Sequence, residues 1–250
     1  MKILGIESAS VTASAAVISD DVLLSEYTTN YKKTHSETLL PMIHEILEMT
    51  GTDAAELSLI AVSAGPGSFT GLRIGAAAAK GLAFALGIPI VSVPTLDAIA
   101  FNMAGSRDLL CPLLDARRGE AYTGLYEFVD DELVVIREAA ALPVSEQIRY
   151  AEDVAMARGK DVIYLGDGLP VFRDRIAELT EGRARFAPAH LRDQRAASVA
   201  MLGKNLYQRG IYSDAVNFLP IYLRKSQAEQ EREALGLSIE PQESESEGRS

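Results

Sequence analysis

Hydrophobic residues at the start of the chain fall into three short runs that polar turns separate. These runs predict strands over residues 2–6, 12–18 and 22–29. The turns between them are Glu-Ser-Ala-Ser at residues 7–10 and Ser-Asp-Asp at residues 19–21. Three consecutive strands with short turns predict an antiparallel meander.

The hydrophobic period then lengthens to that of a helix. Its apolar positions are Leu39, Leu40, Ile43, Ile46 and Leu47. Thr34 and Glu37 are spaced as in a capping box at its start, and Met-Thr-Gly at residues 49–51 is a typical end. Because a proline inside a helix removes a hydrogen bond, Pro41 predicts either that the helix begins later or that it bends there.

From residue 57 to residue 103, strands and helices alternate. We predict strands over residues 57–64 and 88–93, and helices over residues 72–86 and 95–103. Gly87 and Pro89 end the first of these helices. A meander followed by helical crossovers predicts an α/β fold with a mixed sheet.

The pattern changes around Gly105 and predicts a second, smaller lobe. Its expected strands are residues 109–114, 121–128, 133–137 and 161–165, and its helices are residues 145–157, 171–179 and 196–209. We therefore predict one lobe over residues 1–104 and another over residues 105–225, with the last helix packing back on either lobe.

The composition is that of a globular protein, with 250 residues of which 48% are hydrophobic and 24% charged. An acidic residue at position 7 comes too early for a signal peptide, and no apolar run approaches the roughly 18 residues that span a bilayer. A single cysteine, Cys111, excludes an intrachain disulfide. We therefore expect a cytoplasmic protein.

The net charge of −11 makes the chain a poor stand-alone nucleic-acid binder, because it repels phosphate at long range. Seven Glu and two Arg in residues 228–250 account for −5 of this charge. The composition predicts that residues 226–250 form a disordered acidic tail. The remaining chain is still acidic.

Two loops are candidates for binding phosphate in a two-lobed fold. One contains Glu7 and Ser8, and the other contains Gly166 and Gly168. Sugar kinases and actin-like ATPases have a D-x-G-T turn in the first place, and the turn here lacks the glycine that lets phosphate approach the backbone. We interpret the two loops as a degraded nucleotide pocket and predict no cofactor.

The glycine stretch of residues 65–75 matches neither a Walker A loop nor a dinucleotide fingerprint. As a turn into a helix it offers backbone N–H groups to an anion, and its glycines equally suit a tight turn with close packing. Both interpretations stay open. The histidines His35, His44 and His190 lack the spacing of a metal site, so we predict no metal.

The helix that follows this stretch has a face with few side chains. Gly71, Gly75 and Ala78 recur there at helical spacing, with Ala79 and Leu82 beside them. Such a face lets another helix approach closely. That helix belongs either to the same fold, which is the more common case, or to a second chain.

Several segments of the chain resemble the TsaB (YeaZ) family of bacterial tRNA threonylcarbamoyladenosine proteins. The most specific is Ser-Phe-Thr-Gly-Leu-Arg at residues 68–73. The others are Ile-Leu-Gly-Ile-Glu-Ser at 3–8, His-Ser-Glu at 35–37, Leu-Leu-Pro at 39–41, Gly-Pro-Gly at 65–67, Lys-Gly-Leu-Ala at 80–83, Asp-Ala-Arg-Arg-Gly-Glu at 115–120 and Pro-Ile-Tyr-Leu-Arg at 220–224.

This resemblance implies a two-lobed actin-like fold with RNase H-like lobes, of the sugar kinase, Hsp70 and actin superfamily. It also implies a non-catalytic partner of TsaD, the subunit that transfers threonylcarbamoyl to the adenosine beside the anticodon of tRNA, together with the ATPase TsaE. Where TsaD has two metal-binding histidines, this chain has Thr95 and Ile99. The resemblance therefore implies a pseudoenzyme that meets tRNA only through the complex.

In the same family, TsaB pairs with TsaD, or with itself, through helices of the first lobe. The implied interface residues are Leu39, Ile43, Ile46, Gly71, Leu72, Gly75, Ala78 and Leu82. On this hypothesis, Gly75→Leu abolishes pairing and leaves the monomer folded.

Two other functions stay open. A small-molecule kinase or ATPase would use Glu7 and the turn at Gly166, and a metallopeptidase-like activity would need the missing histidines. In the second lobe, Arg117, Arg118 and Glu120 predict a surface cluster of ion pairs, and contact with a partner or with tRNA is the alternative. The Arg-Lys pair at residues 224–225 has the same two interpretations.

Overall fold

The computed structural model describes residues 1–31 and 34–224. The predicted acidic tail and Lys225 lie outside these residues. The first half of the described chain comprises β1 (Lys2–Glu7), β2 (Ala13–Ser19), β3 (Val22–Thr29), α1 (His35–Met49), β4 (Leu57–Gly65), α2 (Phe69–Leu86), β5 (Ile90–Pro94) and α3 (Thr95–Phe101). The second half comprises β6 (Leu109–Asp115), β7 (Glu120–Val129), β8 (Glu132–Pro143), α4 (Val144–Arg158), β9 (Val162–Leu165), α5 (Leu169–Leu179), β10 (Arg185–Phe186), α6 (Ala189–Arg192) and α7 (Ala196–Gln208).

Each half forms a five-stranded mixed sheet with the same arrangement. The strand order is β3-β2-β1-β4-β5 in the first sheet and β10-β9-β6-β7-β8 in the second. In the first sheet, β1 pairs antiparallel with β2 and parallel with β4; in the second, β6 pairs antiparallel with β7 and parallel with β9. The structure confirms the predicted α/β fold with two mixed sheets.

Alternating residues of β1 pack against helices on the two faces of the first sheet. Leu4 and Ile6 belong to the core that α1 and α2 cover, whereas Ile3 packs on the opposite face with α7. A Cβ at Gly5 would collide with the carbonyl oxygen of Ala196, so α7 can lie directly on this strand. The last helix therefore packs on the sheet of the first lobe.

Helix α3 joins the two lobes through a shared core. Its residues Leu96 and Ile99 pack with Leu110 and Leu114 of the second sheet. The other face of that sheet is covered by α4 and α5. The boundary between residues 104 and 105 stays a prediction, because this core is continuous across it.

Several element ends differ from the sequence prediction. Helix α1 begins at His35 and runs through Pro41, and the predicted capping box is absent because the Thr34 side chain accepts no hydrogen bond. The Glu37 amide instead donates to the Thr34 carbonyl oxygen at 3.0 Å. Helix α2 begins at Phe69, three residues before the predicted start, because Ser68 caps it. Strand β8 extends to residue 143, since it pairs with β7 over nearly its whole length.

Candidate functional site

A cleft of about 900 Å³ opens between the two lobes. The turn after β1 and the first residues of α2 form its first-lobe side. The second-lobe side is formed by residues 114–118 with Tyr122 and Asp167, and residues 221–224 of the C-terminal segment also line it. Clefts between domains are common ligand sites. If the two predicted phosphate loops bind a ligand, their residues should line this cleft.

Glu7 and Ser8 are buried and do not line the cleft. Oε1 of Glu7 accepts a hydrogen bond from the Ala9 amide at 2.6 Å, and the Ser8 hydroxyl donates to the Gly71 carbonyl oxygen at 2.9 Å. These contacts fix the turn after β1 against the start of α2. In this structure both residues hold the fold together, which corrects their prediction as phosphate contacts.

The carboxyl group of Glu7 has an unusual environment. Its burial raises the pKa from 4.5 to about 7, and the nearby charge of Asp167 adds to the increase, while the Ala9 hydrogen bond opposes it. Within residues 1–31 and 34–224, its Oε2 atom has no hydrogen-bond partner. A buried carboxyl group with this pKa is partly protonated at neutral pH.

The amides of Gly166 and Gly168 both have protein partners. Gly166 donates to the Arg192 carbonyl oxygen at 2.8 Å, and Gly168 donates to the Leu113 carbonyl oxygen at 3.0 Å. A Cβ at Gly166 would also collide with that Leu113 oxygen. These glycines therefore permit close packing against β6, and the structure leaves neither N–H free for a phosphate.

Asp167, between these glycines, does reach the cleft. Burial raises its pKa, and the negative charge of Asp193 adds to this, while a hydrogen bond with Ser10 opposes it. The Asp167 carboxyl group therefore disfavours the binding of another negatively charged group, such as a phosphate, beside it.

The turn between β6 and β7 carries the predicted arginines. Arg117 and Arg118 have positive φ angles of 69° and 56°, and Gly119 follows with 78°. The Arg117 guanidinium pairs with Asp115 at 3.2 Å while its side chain stays 85% exposed. Glu120 pairs with Arg224 of the C-terminal segment. Arg117 and Glu120 thus lie in ion pairs at the edge of the cleft.

The predicted interface residues of α1 and α2 lie largely inside the first lobe. Leu39, Ile43 and Ile46 are buried between α1 and the sheet, and Leu72 is buried beneath α2. Ala78 and Leu82 are half-buried against the same core. Leu39, Ile43, Ile46 and Leu72 therefore have partners within the chain and are not accessible to a second chain, whereas Ala78 and Leu82 stay partly exposed.

The side-chain-poor face of α2 also has an intramolecular partner. A Cβ at Gly71 would collide with the carbonyl oxygen of Ser8, and a Cβ at Gly75 would collide with the Ser8 hydroxyl. These glycines let α2 approach the turn after β1. We therefore expect Gly75→Leu to disturb the packing of the first lobe itself, unlike the expectation from sequence that it affects pairing alone.

The opposite face of α2 is exposed and apolar. Ala77, Gly81 and Phe84 follow one another at helical spacing on this face, and Phe84 is 76% exposed. By length and mean hydropathy alone α2 could cross a membrane, but it carries Arg73 and Lys80 and packs against the core of the first lobe, so the expectation from sequence stands. Leu40 of α1 is also exposed. The sequence analysis did not identify this exposed face, although Ala77, Gly81 and Phe84 lie at helical spacing in the sequence.

Thr95 and Ile99 both lie in the interior. The Thr95 hydroxyl accepts a hydrogen bond from the Gly65 amide at 3.1 Å, and Ile99 is completely buried in the core that joins the lobes. The two positions therefore maintain packing at the start of α3.

Comparisons with known proteins identify the family. A family model described as TsaD, tRNA N6-adenosine threonylcarbamoyltransferase, matches residues 22–232. The chain is 33% identical to the tRNA threonylcarbamoyladenosine biosynthesis protein TsaB of Bacillus subtilis. The alignment spans 231 residues and covers 92% of this chain and 96% of that protein. It is 35% identical over 130 residues to TsaB of Escherichia coli, covering 51% of this chain and 55% of that protein.

A solved structure has the same arrangement. YeaZ from Pseudomonas aeruginosa superposes with a TM-score of 0.73 at 25% sequence identity, over 89% of this chain and 99% of that one. Sequence and structure agree with the resemblance found in the motifs. The chain belongs to the family that the TsaD model describes and, within it, to the TsaB (YeaZ) proteins of tRNA threonylcarbamoyladenosine biosynthesis.

Proposed function

We propose that this chain is a non-catalytic subunit of the threonylcarbamoyladenosine machinery. It pairs with a TsaD-like catalytic subunit and, in the complex, with a TsaE-like ATPase. It supports the transfer of threonylcarbamoyl to the adenosine beside the anticodon and acts in the cytoplasm. The observation that carries this proposal is the exposed apolar ridge on α2 in a chain of this family.

The docking surface that we propose is the outer face of the first two helices. It consists of Leu40 on α1 and of Ala77, Gly81 and Phe84 on α2, which we call the outer ridge. In the described part of the chain, no atom of another element lies within 4 Å of where a Cβ of residue 81 would be, so a partner helix can approach the backbone at Gly81. Exposed apolar patches of this kind mark interaction sites.

A catalytic role is disfavoured by the positions that carry metal-binding histidines in TsaD-like relatives. Here Thr95 is engaged by the Gly65 amide, and Ile99 has no atom that can coordinate a cation. A kinase or ATPase role is disfavoured as well, because the amides of Gly166 and Gly168 are used by the protein backbone.

Contact with tRNA is expected only through the complex. The net charge of −11 repels the phosphate backbone, so a binding partner has to supply the positive surface. In isolation the outer ridge is free to pair with a second copy of the same chain, which makes a homodimer the alternative occupant.

The test is a pull-down and affinity titration with the TsaD-like subunit of the same organism. Phe84→Asp places a charge at the centre of the outer ridge, and we expect the affinity to fall at least about tenfold. Met156→Asp is the matched control, because Met156 is 81% exposed on α4 of the second lobe. Equal affinity of Phe84→Asp and the unaltered chain would contradict the proposed surface.

A reconstituted modification assay then tests the role itself. It combines tRNA, the threonylcarbamoyl donor and the TsaD-like and TsaE-like proteins, with and without this chain. We expect modification only when the chain is present, and Phe84→Asp should lower it while Met156→Asp should not. Modification by the chain alone would refute the non-catalytic assignment.

A further inference from the structure

The C-terminal segment after α7 is anchored to the first lobe before it reaches the cleft. Ser213 and Ile90 exchange two backbone hydrogen bonds, each 2.8 Å long. Phe218 is buried in the first-lobe core. The Lys80 ammonium group of α2 donates to the carbonyl oxygens of residues 216 and 218, both at 3.1 Å. The path of the segment is therefore fixed as far as residue 218.

Further along the segment, residues 221–224 line the cleft. The Ile221 amide donates to the Ala64 carbonyl oxygen at 2.6 Å, which joins the segment to the end of β4. A Cβ at Gly65 would collide with the Ile221 carbonyl oxygen, so glycine is needed at this close approach. The Tyr222 ring packs against Phe69 with 4.9 Å between centroids.

The last described residue of the segment contacts the second lobe. The Arg224 guanidinium donates to the Ala116 carbonyl oxygen at 3.1 Å and pairs with the Glu120 carboxylate. Ala116 and Glu120 are the two ends of the turn between β6 and β7, which the Ala116 amide closes by donating to the Glu120 carbonyl oxygen at 3.0 Å. One side chain therefore holds both ends of this turn.

This turn has a backbone that benefits from such support. Arg117 and Arg118 both adopt left-handed conformations, which residues with a Cβ rarely occupy. Strained backbone persists only where the surroundings determine it. The contacts of Arg224 are part of these surroundings, and the turn they support presents two guanidinium groups to the cleft.

We propose that residues 221–224 form an intramolecular clamp, which ties the first lobe to the turn of residues 116–120 and fixes the conformation of that turn. In two-domain proteins a bound ligand often closes the cleft. Here a segment of the chain itself makes contacts on both sides. The clamp goes beyond the proposed function, because it requires no partner.

The test is hydrogen exchange on the full chain, read by mass spectrometry. Arg224→Glu places a carboxylate beside Glu120, and we expect the amides of residues 116–120 to exchange at least about tenfold faster. Glu120→Arg alone should have the same effect. The double variant Arg224→Glu with Glu120→Arg restores opposite charges, so exchange should return to within about threefold of the original rate.

Arg209→Glu is the matched control. It breaks the 3.1 Å pair between Arg209 and Glu132, which joins the end of α7 to β8 outside the cleft. We expect no faster exchange in residues 116–120. Three results would overturn the clamp: unchanged exchange in Arg224→Glu, no recovery in the double variant, or an equal increase throughout both sheets. Should Arg224→Glu not fold, Arg224→Gln removes the charge without repulsion and is judged by the same criteria.

Discussion

Replacing Glu7 with glutamine is expected to stabilise the folded chain at about pH 8 and to change its stability little at about pH 4. Glutamine has the same shape as the protonated carboxyl group. Its Oε1 atom can accept the hydrogen bond that the Ala9 amide donates to Glu7. The substitution therefore removes the titration of Glu7 and leaves its packing in place.

The sign and size of the effect follow from the raised pKa. Unfolded, Glu7 loses its proton near pH 4.5, whereas burial keeps it protonated in the folded chain up to about pH 7. Between these values the unfolded state binds fewer protons, so the stability of the folded state falls as pH rises. At about 1.4 kcal/mol for each pH unit, the loss is roughly 3 kcal/mol and is complete above the folded pKa.

The assay is urea unfolding of both proteins at several pH values between about 4 and 8. The pKa values of Asp97 and Asp167 are also raised, mainly by burial, so they contribute a slope of the same sign in both proteins. The difference between the two unfolding free energies reports Glu7 together with its interaction with Asp167. It should grow from near zero to roughly 3 kcal/mol in favour of the glutamine variant.

Glu127→Gln is a control of opposite sign. Partial burial alone would raise the pKa of Glu127, but hydrogen bonds from Lys160 and Arg158 bring it below 4.5. Its stabilising effect is present above about pH 4.5 and is lost as pH falls through the folded pKa, so the glutamine variant should be less stable at about pH 8. Parallel pH profiles for the unaltered chain and Glu7→Gln would refute the reasoning.

Three further predictions concern glycine, core and thiol positions. In chemical denaturation, Gly75→Ala should lose roughly 1–3 kcal/mol because its Cβ meets the Ser8 hydroxyl, whereas Gly81→Ala should gain up to about 1 kcal/mol from helix propensity. Phe218→Ala should cost about 3–5 kcal/mol in the same assay, since it empties a core position. Burial raises the pKa of Cys111 to about 11, so a thiol reagent should label it slowly in the folded chain and rapidly after unfolding.

Local patterns predicted the types of the main elements. The short hydrophobic runs before residue 30 predicted β1, β2 and β3 nearly at their observed ends, and the change of period predicted α1. The capping box at Thr34 was predicted wrongly, because spacing alone does not show that the side chain points at the helix start. Fold class was predictable because hydrophobic period and turn residues are local properties of a chain.

The sequence also determined which family motifs the chain carries, but not which faces they occupy. Gly75 and Gly81 lie on the same helix, and the residues around them in the sequence do not show which of the two is buried. The structure buries the first against Ser8, 67 positions earlier, and leaves the second open. The tertiary fold alone decided this, because a helix with apolar or small residues on more than one face buries the face against which a distant strand packs.

The same reason applies to the cleft. The motif at residues 220–224 was visible in the sequence, yet its contacts with Ala64 and Glu120 join parts of the chain more than a hundred residues apart. Contacts over such distances leave no local periodicity. Composition and period therefore determined the elements and the lobes they build, whereas long-range packing decided which residues are buried, exposed or paired.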